Sequence, residues 1–200
     1  MLGDRRDKVG SSNADYDIDF LQAGVDVLEN YLFSKELYWP IGITAPTGER
    51  PYPHLTLGAL LLAQMRAHAW SLTYGQRDKL ARLDEQIDDL RDRWQSAWRR
   101  KSAHSFQARL NLWRDFLEDY RRNPQEHASR YGYEAGRRVM LHLLAQETDE
   151  IPPTGLELLA GLDQLLQAKF VAGEFIWEPE MSPAFPRDTY WYLYGNLRGD

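Results

Sequence analysis

The chain has 200 residues, of which 43% are hydrophobic and 12% aromatic, a composition typical of one folded domain rather than a disordered chain. It contains no cysteine, which excludes disulfides, thiolate zinc sites, iron–sulfur clusters and cysteine nucleophiles. Its 24 basic and 30 acidic residues give a net charge of −6, which opposes binding to a nucleic-acid backbone unless the charges are segregated along the chain.

Hydropathy along the chain indicates neither a signal peptide nor a membrane span. Residues 1–12 are polar and charged, and no later run reaches the roughly 18 uninterrupted apolar residues that a spanning helix requires. We therefore expect a soluble, cytoplasmic protein without membrane contacts. We also expect residues 1–14 to be a disordered segment and residues 15–200 to form a single helical domain.

Apolar residues recur at steps of three and four over most of the chain, which predicts amphipathic α-helices. The predicted helices cover residues 15–33, 56–74, 78–122, 123–146 and 154–173. A continuous helix over 78–122 would be roughly 65 Å long, about twice the diameter of a small domain. We therefore expect a break near residues 101–105.

Capping residues mark several of the predicted helix ends. Gly75 is expected to end the second helix in a left-handed cap. The sequence Asn123-Pro124 followed by Glu126 predicts a helix start, and Thr154 with Glu157 forms a capping-box pattern. Gly132 and Gly136 lie one turn apart, where they are expected to let another backbone approach closely.

Two aromatic segments interrupt the helical pattern. Residues 34–54 contain Tyr38-Trp39 among several prolines and glycines, and residues 174–200 contain three prolines and the run 190–194, which has four aromatic residues. Proline forbids a continuous helix in the second segment. The predicted fold is therefore an all-α bundle of five to six helices, with an aromatic connector (34–54) and an irregular aromatic C-terminal tail packed over it.

Charge is segregated between the two halves of region 78–122. The first half is acidic and the second is basic, so two copies could pair with acidic ends on basic ends. The predicted interaction surface consists of Asp84, Glu85, Asp88, Asp89, Asp92, Arg93, Arg99, Arg100, Lys101 and Arg109. Our preferred hypothesis is a protein–protein interaction or assembly subunit that forms a homo-oligomer or binds a protein partner through these helices. The alternative is a solvated helix pair joined by weak ion pairs.

A second hypothesis is a small-ligand or metal pocket, which would make the protein a binding bundle or an enzyme. His68 and His142 lie on inward-facing stripes, with Gln64 one turn before His68. The predicted roof of this pocket consists of Trp39, Trp177 and Trp191. No paired-histidine or Glu-x-x-His spacing accompanies either histidine, so the metal is undefined, and each could instead be a neutral core histidine with one hydrogen bond.

Searches for catalytic motifs find no nucleophile elbow, phosphate-binding glycine loop or paired metal motif. We therefore lean towards a protein that is not an enzyme and expect no cofactor. Glu178 and Glu180 beside Trp177 could suit a sugar or a cation, although a solvated tail explains them as well. Nucleic-acid contact through the basic, Trp-rich stretch 93–114 ranks third, because the net charge of −6 opposes it.

Overall fold

Seven α-helices and one small sheet make up the described part of the chain. The computed structural model describes the backbone of residues 6–199 and the side chains of residues 13–199. The helices are α1 (Arg6–Phe33), α2 (Leu57–Ala69), α3 (Tyr74–Arg93), α4 (Gln95–Arg122), α5 (Pro124–His127), α6 (Tyr131–Gln146) and α7 (Pro153–Lys169). Strands β1 (Phe170–Phe175) and β2 (Tyr194–Leu197) pair antiparallel. The predicted all-α bundle is confirmed.

Helix α2 lies at the centre of the bundle because it is apolar on nearly all sides. It packs against α1, α4 and α6, and α4 in turn packs against α6. The indole rings of Trp98 and Trp113 on α4 are almost completely buried in the same core. A helix that is apolar all round has to be enclosed by its neighbours, so α2 fixes where the outer helices pack.

The second helix was predicted to run to residue 74, but it ends at Ala69 and a new helix is capped at Thr73. Thr73 and Gln76 form a capping box, in which each side chain bonds to the other residue's backbone N–H, and this starts α3 at Tyr74. The prediction that Gly75 ends the preceding helix is therefore wrong, since Gly75 lies in the first turn of α3. Helix α2 begins at the predicted place, where the Thr56 side chain accepts from the Ala59 N–H at 3.1 Å.

The long region 78–122 is broken, as predicted, but the break lies at Trp94, seven residues before the predicted place near 101–105. Trp94 has non-helical backbone angles, its indole donates to Glu29 of α1 at 2.8 Å, and its ring packs edge-on against Phe33. These contacts hold the bend against α1. Helix α4 continues through 101–105 because one face of that stretch is buried in the bundle.

Two further boundaries differ from the capping patterns in the sequence. The Asn123 side-chain amide bonds to the Glu126 carboxylate at 2.8 Å, and the helix beginning there is divided into α5, a 3-10 turn (Ala128–Arg130) and α6. Helix α7 begins at Pro153 with Pro152 at the N-cap position, so the capping box predicted for Thr154 does not form. It ends at Lys169 because the next residues pair in the sheet.

Both aromatic segments are anchored to the bundle. In the connector, Trp39 exchanges two backbone hydrogen bonds with Leu55, at 2.8 and 3.1 Å. In the tail, the buried Tyr131 hydroxyl of α6 donates to the Tyr192 carbonyl at 2.6 Å, and the Phe185 ring is completely buried. The tail thus packs over the bundle as predicted.

The division into a disordered segment, 1–14, and a helical domain, 15–200, stays a prediction. Residues 1–5 lie outside the described residues, and α1 is described from Arg6 onward. Among the helices described, none combines the length and the hydropathy that crossing a membrane would require.

Candidate functional site

The predicted pocket residue His68 belongs to a small polar cluster between α2 and α3. Its Nε2 atom lies 2.8 Å from Asp84 Oδ2, and the Gln64 amide donates to Asp84 Oδ1 at 2.7 Å. Asp84 had been placed on the interaction surface by the sequence. The structure instead engages it with His68 and Gln64 of its own chain.

His142 of α6 has different partners. Its ring packs edge-on against Tyr190 with centroids 5.1 Å apart, and its Nε2 atom lies 3.1 Å from the Gln146 amide nitrogen. Burial, helped by the nearby Arg138 charge, lowers the pKa of His142 below its ordinary value of 6.5. The neutral imidazole is therefore favoured in the folded protein.

The three tryptophans of the predicted roof lie in three different surroundings. Trp39 packs edge-on against Tyr31 and Trp191 against Phe170, whereas Trp177 forms part of the wall of another cavity. The side chains chosen from the sequence as one pocket are therefore dispersed over the bundle.

The predicted interaction surface divides into exposed and buried members. The exposed ones are Glu85, Asp88, Asp89, Asp92, Arg93 and Arg100. Arg99 is partly exposed and bonds to Asp149 at 3.4 Å. Lys101 is buried, with its ammonium group donating to the Ser34 and Glu36 carbonyls at 2.8 and 2.9 Å. Arg109 is half-buried and lines a cavity.

This cavity, which we call the arginine cavity, lies between helices α1, α2, α4 and α6 and has a volume of about 210 Å³. Its charged lining residues are Arg50, Arg66, Arg109, Arg137 and Asp17. Four guanidinium groups from three helices and the connector thus surround one space that contains a single lining carboxylate. A protein with net charge −6 has here a locally positive interior surface.

Asp17 and Arg66 form one side of the cavity. Arg66 Nε donates to Asp17 Oδ2 at 3.2 Å, and the Trp70 indole donates to the same oxygen at 3.0 Å. Burial raises the pKa of Asp17 above its ordinary value, although the Arg66 charge and both hydrogen bonds act in the opposite direction. The pair holds α1 and α2 together and leaves this wall nearly neutral.

Arg137 is paired in a similar way. It forms an ion pair with Glu134, one turn earlier on α6, and Arg130 donates to the other oxygen of the same carboxylate at 2.8 Å. The Glu134 side chain is completely buried, and each of its two oxygens is paired with one arginine. Arg137 reaches the cavity from this fixed position.

Arg109 differs from these two because its charge has no carboxylate partner among residues 13–199. Its Nη2 atom donates to the Thr56 hydroxyl oxygen at 3.0 Å, and its guanidinium lies 5.9 Å from the centre of the Tyr38 ring. Burial lowers the pKa of Arg109, and the nearby Arg137 charge adds to that effect. The cavity therefore contains a half-buried cation that the described residues do not neutralise.

Arg50 completes the set at the mouth of the cavity. It is exposed, and its guanidinium lies 5.3 Å from the centre of the Tyr16 ring. Within residues 13–199 it likewise forms no ion pair with a carboxylate. A second and more open cavity of about 250 Å³ adjoins this mouth and shares Tyr16, Arg50 and Arg66 with the first.

The remaining wall of the arginine cavity is apolar and aromatic. Trp177 lies over the two glycines of α6, with its indole donating to the Gly132 carbonyl at 2.9 Å and its ring close to Gly136. The prediction that another backbone approaches closely at these glycines is therefore wrong, because the neighbouring group is an indole side chain. Tyr133, whose ring is 72% exposed, stands at the rim, and Phe20 and Met140 line the interior.

Sequence reasoning missed Arg50, Arg66 and Arg137 and assigned Arg109 to a surface. One signal was present: Asp17 and Arg66 each adjoin residues of an inward-facing stripe, where an unpaired charge is rare. Nothing in the sequence indicated that they meet, because 48 residues separate them along the chain.

Comparisons with known proteins give no relative from which a function could be transferred. No family model, no curated protein and no solved structure matches this chain. Within the described residues, the histidines and carboxylates form no group of three or more that could hold a metal ion.

Proposed function

We propose that this protein binds a small organic anion in the arginine cavity, and that the ligand is a phosphate monoester with an apolar or aromatic substituent. The observation that carries the proposal is Arg109, a half-buried guanidinium without a carboxylate partner among the described residues. The small-ligand hypothesis therefore now concerns the arginine cavity and no longer the surroundings of His68 and His142.

An unpaired buried cation is costly, and proteins usually pair such a group or leave it in water. The cost is justified when a ligand supplies the missing negative charge. Arginine suits this role because its planar fork donates two parallel hydrogen bonds to a phosphate or carboxylate group. Arg109 and Arg50 are the two arginines that could each give both bonds to a ligand without first breaking an ion pair.

The size and lining of the cavity favour a ligand with an apolar part. A space of about 210 Å³ exceeds the roughly 150 Å³ cavity that accommodates benzene in an engineered protein. Phe20, Met140 and the Trp177 ring would contact such a group, while the arginines hold the anionic end. Phosphate is favoured over carboxylate because four guanidinium groups surround the space and a dianion attracts them more strongly.

Isothermal titration calorimetry with phenyl phosphate, benzoate and inorganic phosphate tests this proposal. We expect phenyl phosphate to bind more tightly than both other probes, because it alone offers a dianion and a ring. Affinity should fall as salt is raised, although less than for an exposed site. Equal weak heats from all three probes would contradict the proposal. Tighter binding of benzoate would show that the ligand is a carboxylate and not a phosphate monoester.

A matched pair of variants on α4 separates the cavity from general charge effects. Arg109→Gln removes the unpaired cation, whereas Arg114→Gln removes a partly exposed arginine that pairs with Asp115 and Glu118. Both variants change the net charge equally. We expect Arg109→Gln to weaken phenyl phosphate binding by about tenfold or more, equivalent to about 1.4 kcal/mol, and Arg114→Gln to leave it unchanged.

A second candidate function is binding of a protein partner or a second copy through the charged face of α3 and α4. It is favoured by the exposure of Glu85, Asp88, Asp89 and Asp92 on α3 and of Arg93 and Arg100 around the helix break. Association of this kind would weaken at high salt. The double variant Arg93→Glu with Arg100→Glu should lower the mass of the complex in solution, and unchanged mass would remove this candidate.

A further inference from the structure

Helix α7 carries an apolar stripe that faces away from its own bundle. Leu158, Gly161, Leu165 and Ala168 follow one another at steps of three, four and three residues, which is heptad spacing. Leu165 is 53% exposed, Ala168 is exposed, and Leu158 and Gly161 are half-buried. The core-facing residues Leu159, Leu162 and Leu166 form a separate, buried stripe on the same helix.

Gly161 is the most informative member of this stripe. Glycine in a helix interior weakens the helix relative to alanine, so packing usually explains its presence. Gly58 of α2 has that explanation, because an added Cβ would meet Leu144 and Met140 at 3.2 Å. An added Cβ at Gly161 would meet nothing within 4 Å in the described chain. The space above Gly161 is therefore open for a side chain from another molecule.

We propose that a second copy of this chain packs on α7 in an antiparallel orientation, with the two-fold axis near residue 163. This register places Leu165 of each copy opposite Gly161 of the other, and Leu158 opposite Ala168. Each large side chain thus faces a small one, as knobs-into-holes packing requires. The stripe is complementary to itself, which is the condition for a symmetric dimer.

Charge at the two ends of α7 agrees with the same orientation. Glu150 and Glu157 lie near its N-terminal end, whereas Lys169 is its C-terminal residue. Antiparallel pairing brings the acidic end of one copy to the same level as the basic end of the other. Parallel pairing would place like charges side by side, so the antiparallel arrangement is favoured.

A groove beside α7 enlarges the surface that a second copy would cover. It has a volume of about 350 Å³ and lies between α7 and the C-terminal half of α4. Leu117 and Leu158 line it together with Leu162 and Leu197. Leu165, which also lines the groove, is exposed, so an apolar side chain of a second copy could pack there. This dimer uses neither the arginine cavity nor the charged face of α3.

Sedimentation velocity over a range of protein concentrations tests the dimer. The key variant is Gly161→Arg, which fits the isolated chain because open space lies above residue 161, but which would block the second helix. We expect wild type to dimerise and Gly161→Arg to remain monomeric with an unchanged circular dichroism spectrum. A monomeric wild type at all concentrations, or a dimeric Gly161→Arg, would overturn the proposal.

A cross-linking experiment tests the antiparallel register, and the absence of natural cysteine makes it specific. In this register Gln164 of one copy lies across the seam from Gln164 of the other, so Gln164→Cys should be joined by a short bis-maleimide reagent. Lys35→Cys in the connector is the exposed control and should remain unlinked. Equal yields from the two variants would contradict the register, and either result leaves anion binding by the arginine cavity unaffected.

Discussion

The Arg109 guanidinium and the Ala59 N–H share one acceptor, the hydroxyl oxygen of Thr56, at 3.0 and 3.1 Å. Thr56 caps the N-terminus of α2, where unpaired N–H groups carry partial positive charge. The cation of Arg109 therefore lies where the helix already disfavours one. An anion in the arginine cavity would offset both the unpaired charge of Arg109 and the partial positive charge at the N-terminus of α2. This is the physical basis of the predictions on ligand binding.

Replacement of Arg109 by methionine should separate stability from function. Methionine keeps an apolar side chain about as long as the stem of arginine but removes the cation, so we expect the free energy of unfolding without ligand to change little or to rise by about 1 kcal/mol. The stabilisation that phenyl phosphate gives to wild type should disappear. Thermal unfolding with and without phenyl phosphate measures both effects. A loss of more than about 2 kcal/mol without ligand would show that Arg109 is a structural residue.

Asp17→Asn should weaken the fold and strengthen anion binding. The variant removes the single lining carboxylate of the arginine cavity while keeping acceptors for the Arg66 and Trp70 donors. We expect a stability loss of about 1–2 kcal/mol, because the ion pair becomes a neutral hydrogen bond, and phenyl phosphate affinity several-fold higher. Urea unfolding and calorimetry measure the two quantities. Unchanged or weaker binding would place the ligand elsewhere.

His142 should make the protein less stable as the pH falls. Its pKa is lowered in the folded state, so below the ordinary value of 6.5 the unfolded chain takes up a proton that the folded chain does not. The free energy of unfolding must therefore decrease as the pH falls through this range. His142→Phe keeps the ring packing against Tyr190 and should show a smaller decrease between about pH 7.5 and about pH 5.5. Identical slopes for variant and wild type would disprove this role.

Lys101 should prove to be a structural residue rather than a surface one. Its ammonium group donates to the Ser34 and Glu36 carbonyls and lies 4.4 Å from the centre of the Tyr31 ring, joining α4 to the end of α1. Lys101→Met should cost about 2 kcal/mol of stability because charged hydrogen bonds are lost. The exposed neighbour provides the control, and Arg100→Met should change stability by less than about 0.5 kcal/mol. Equal effects of the two variants would refute the assignment.

Helical periodicity predicted most of the fold because local apolar patterns record which face of each helix is buried. The all-α class, the start of α2 and the end of α1 at Phe33 follow from such patterns. The break at Trp94 could not be found in this way, because it depends on a contact with Glu29, 65 residues earlier. The pairing of β1 with β2 was missed for the same reason.

The candidate site was much harder to predict from the sequence than the fold was. Charged residues were assigned to solvent by type, so Lys101 and Arg109 were placed on a surface although Lys101 is buried and Arg109 is half-buried beside a cavity. Arginine has a long apolar stem that lets its head reach a cavity from a helix position that looks exposed. Which guanidinium groups converge depends on the packing of α1, α2, α4 and α6, and no motif records that packing.

The most direct test of the arginine cavity is a nuclear magnetic resonance titration that observes the arginine Nε–Hε groups while phenyl phosphate is added. The Arg109 signal is assigned by its absence from the Arg109→Gln variant. We predict that the Arg109 signal shifts and reaches saturation at the same ligand concentration as the Arg137 signal, while Arg114 remains unchanged. A titration in which Arg109 does not shift, or in which all arginines shift in proportion to their exposure, would contradict the proposed function.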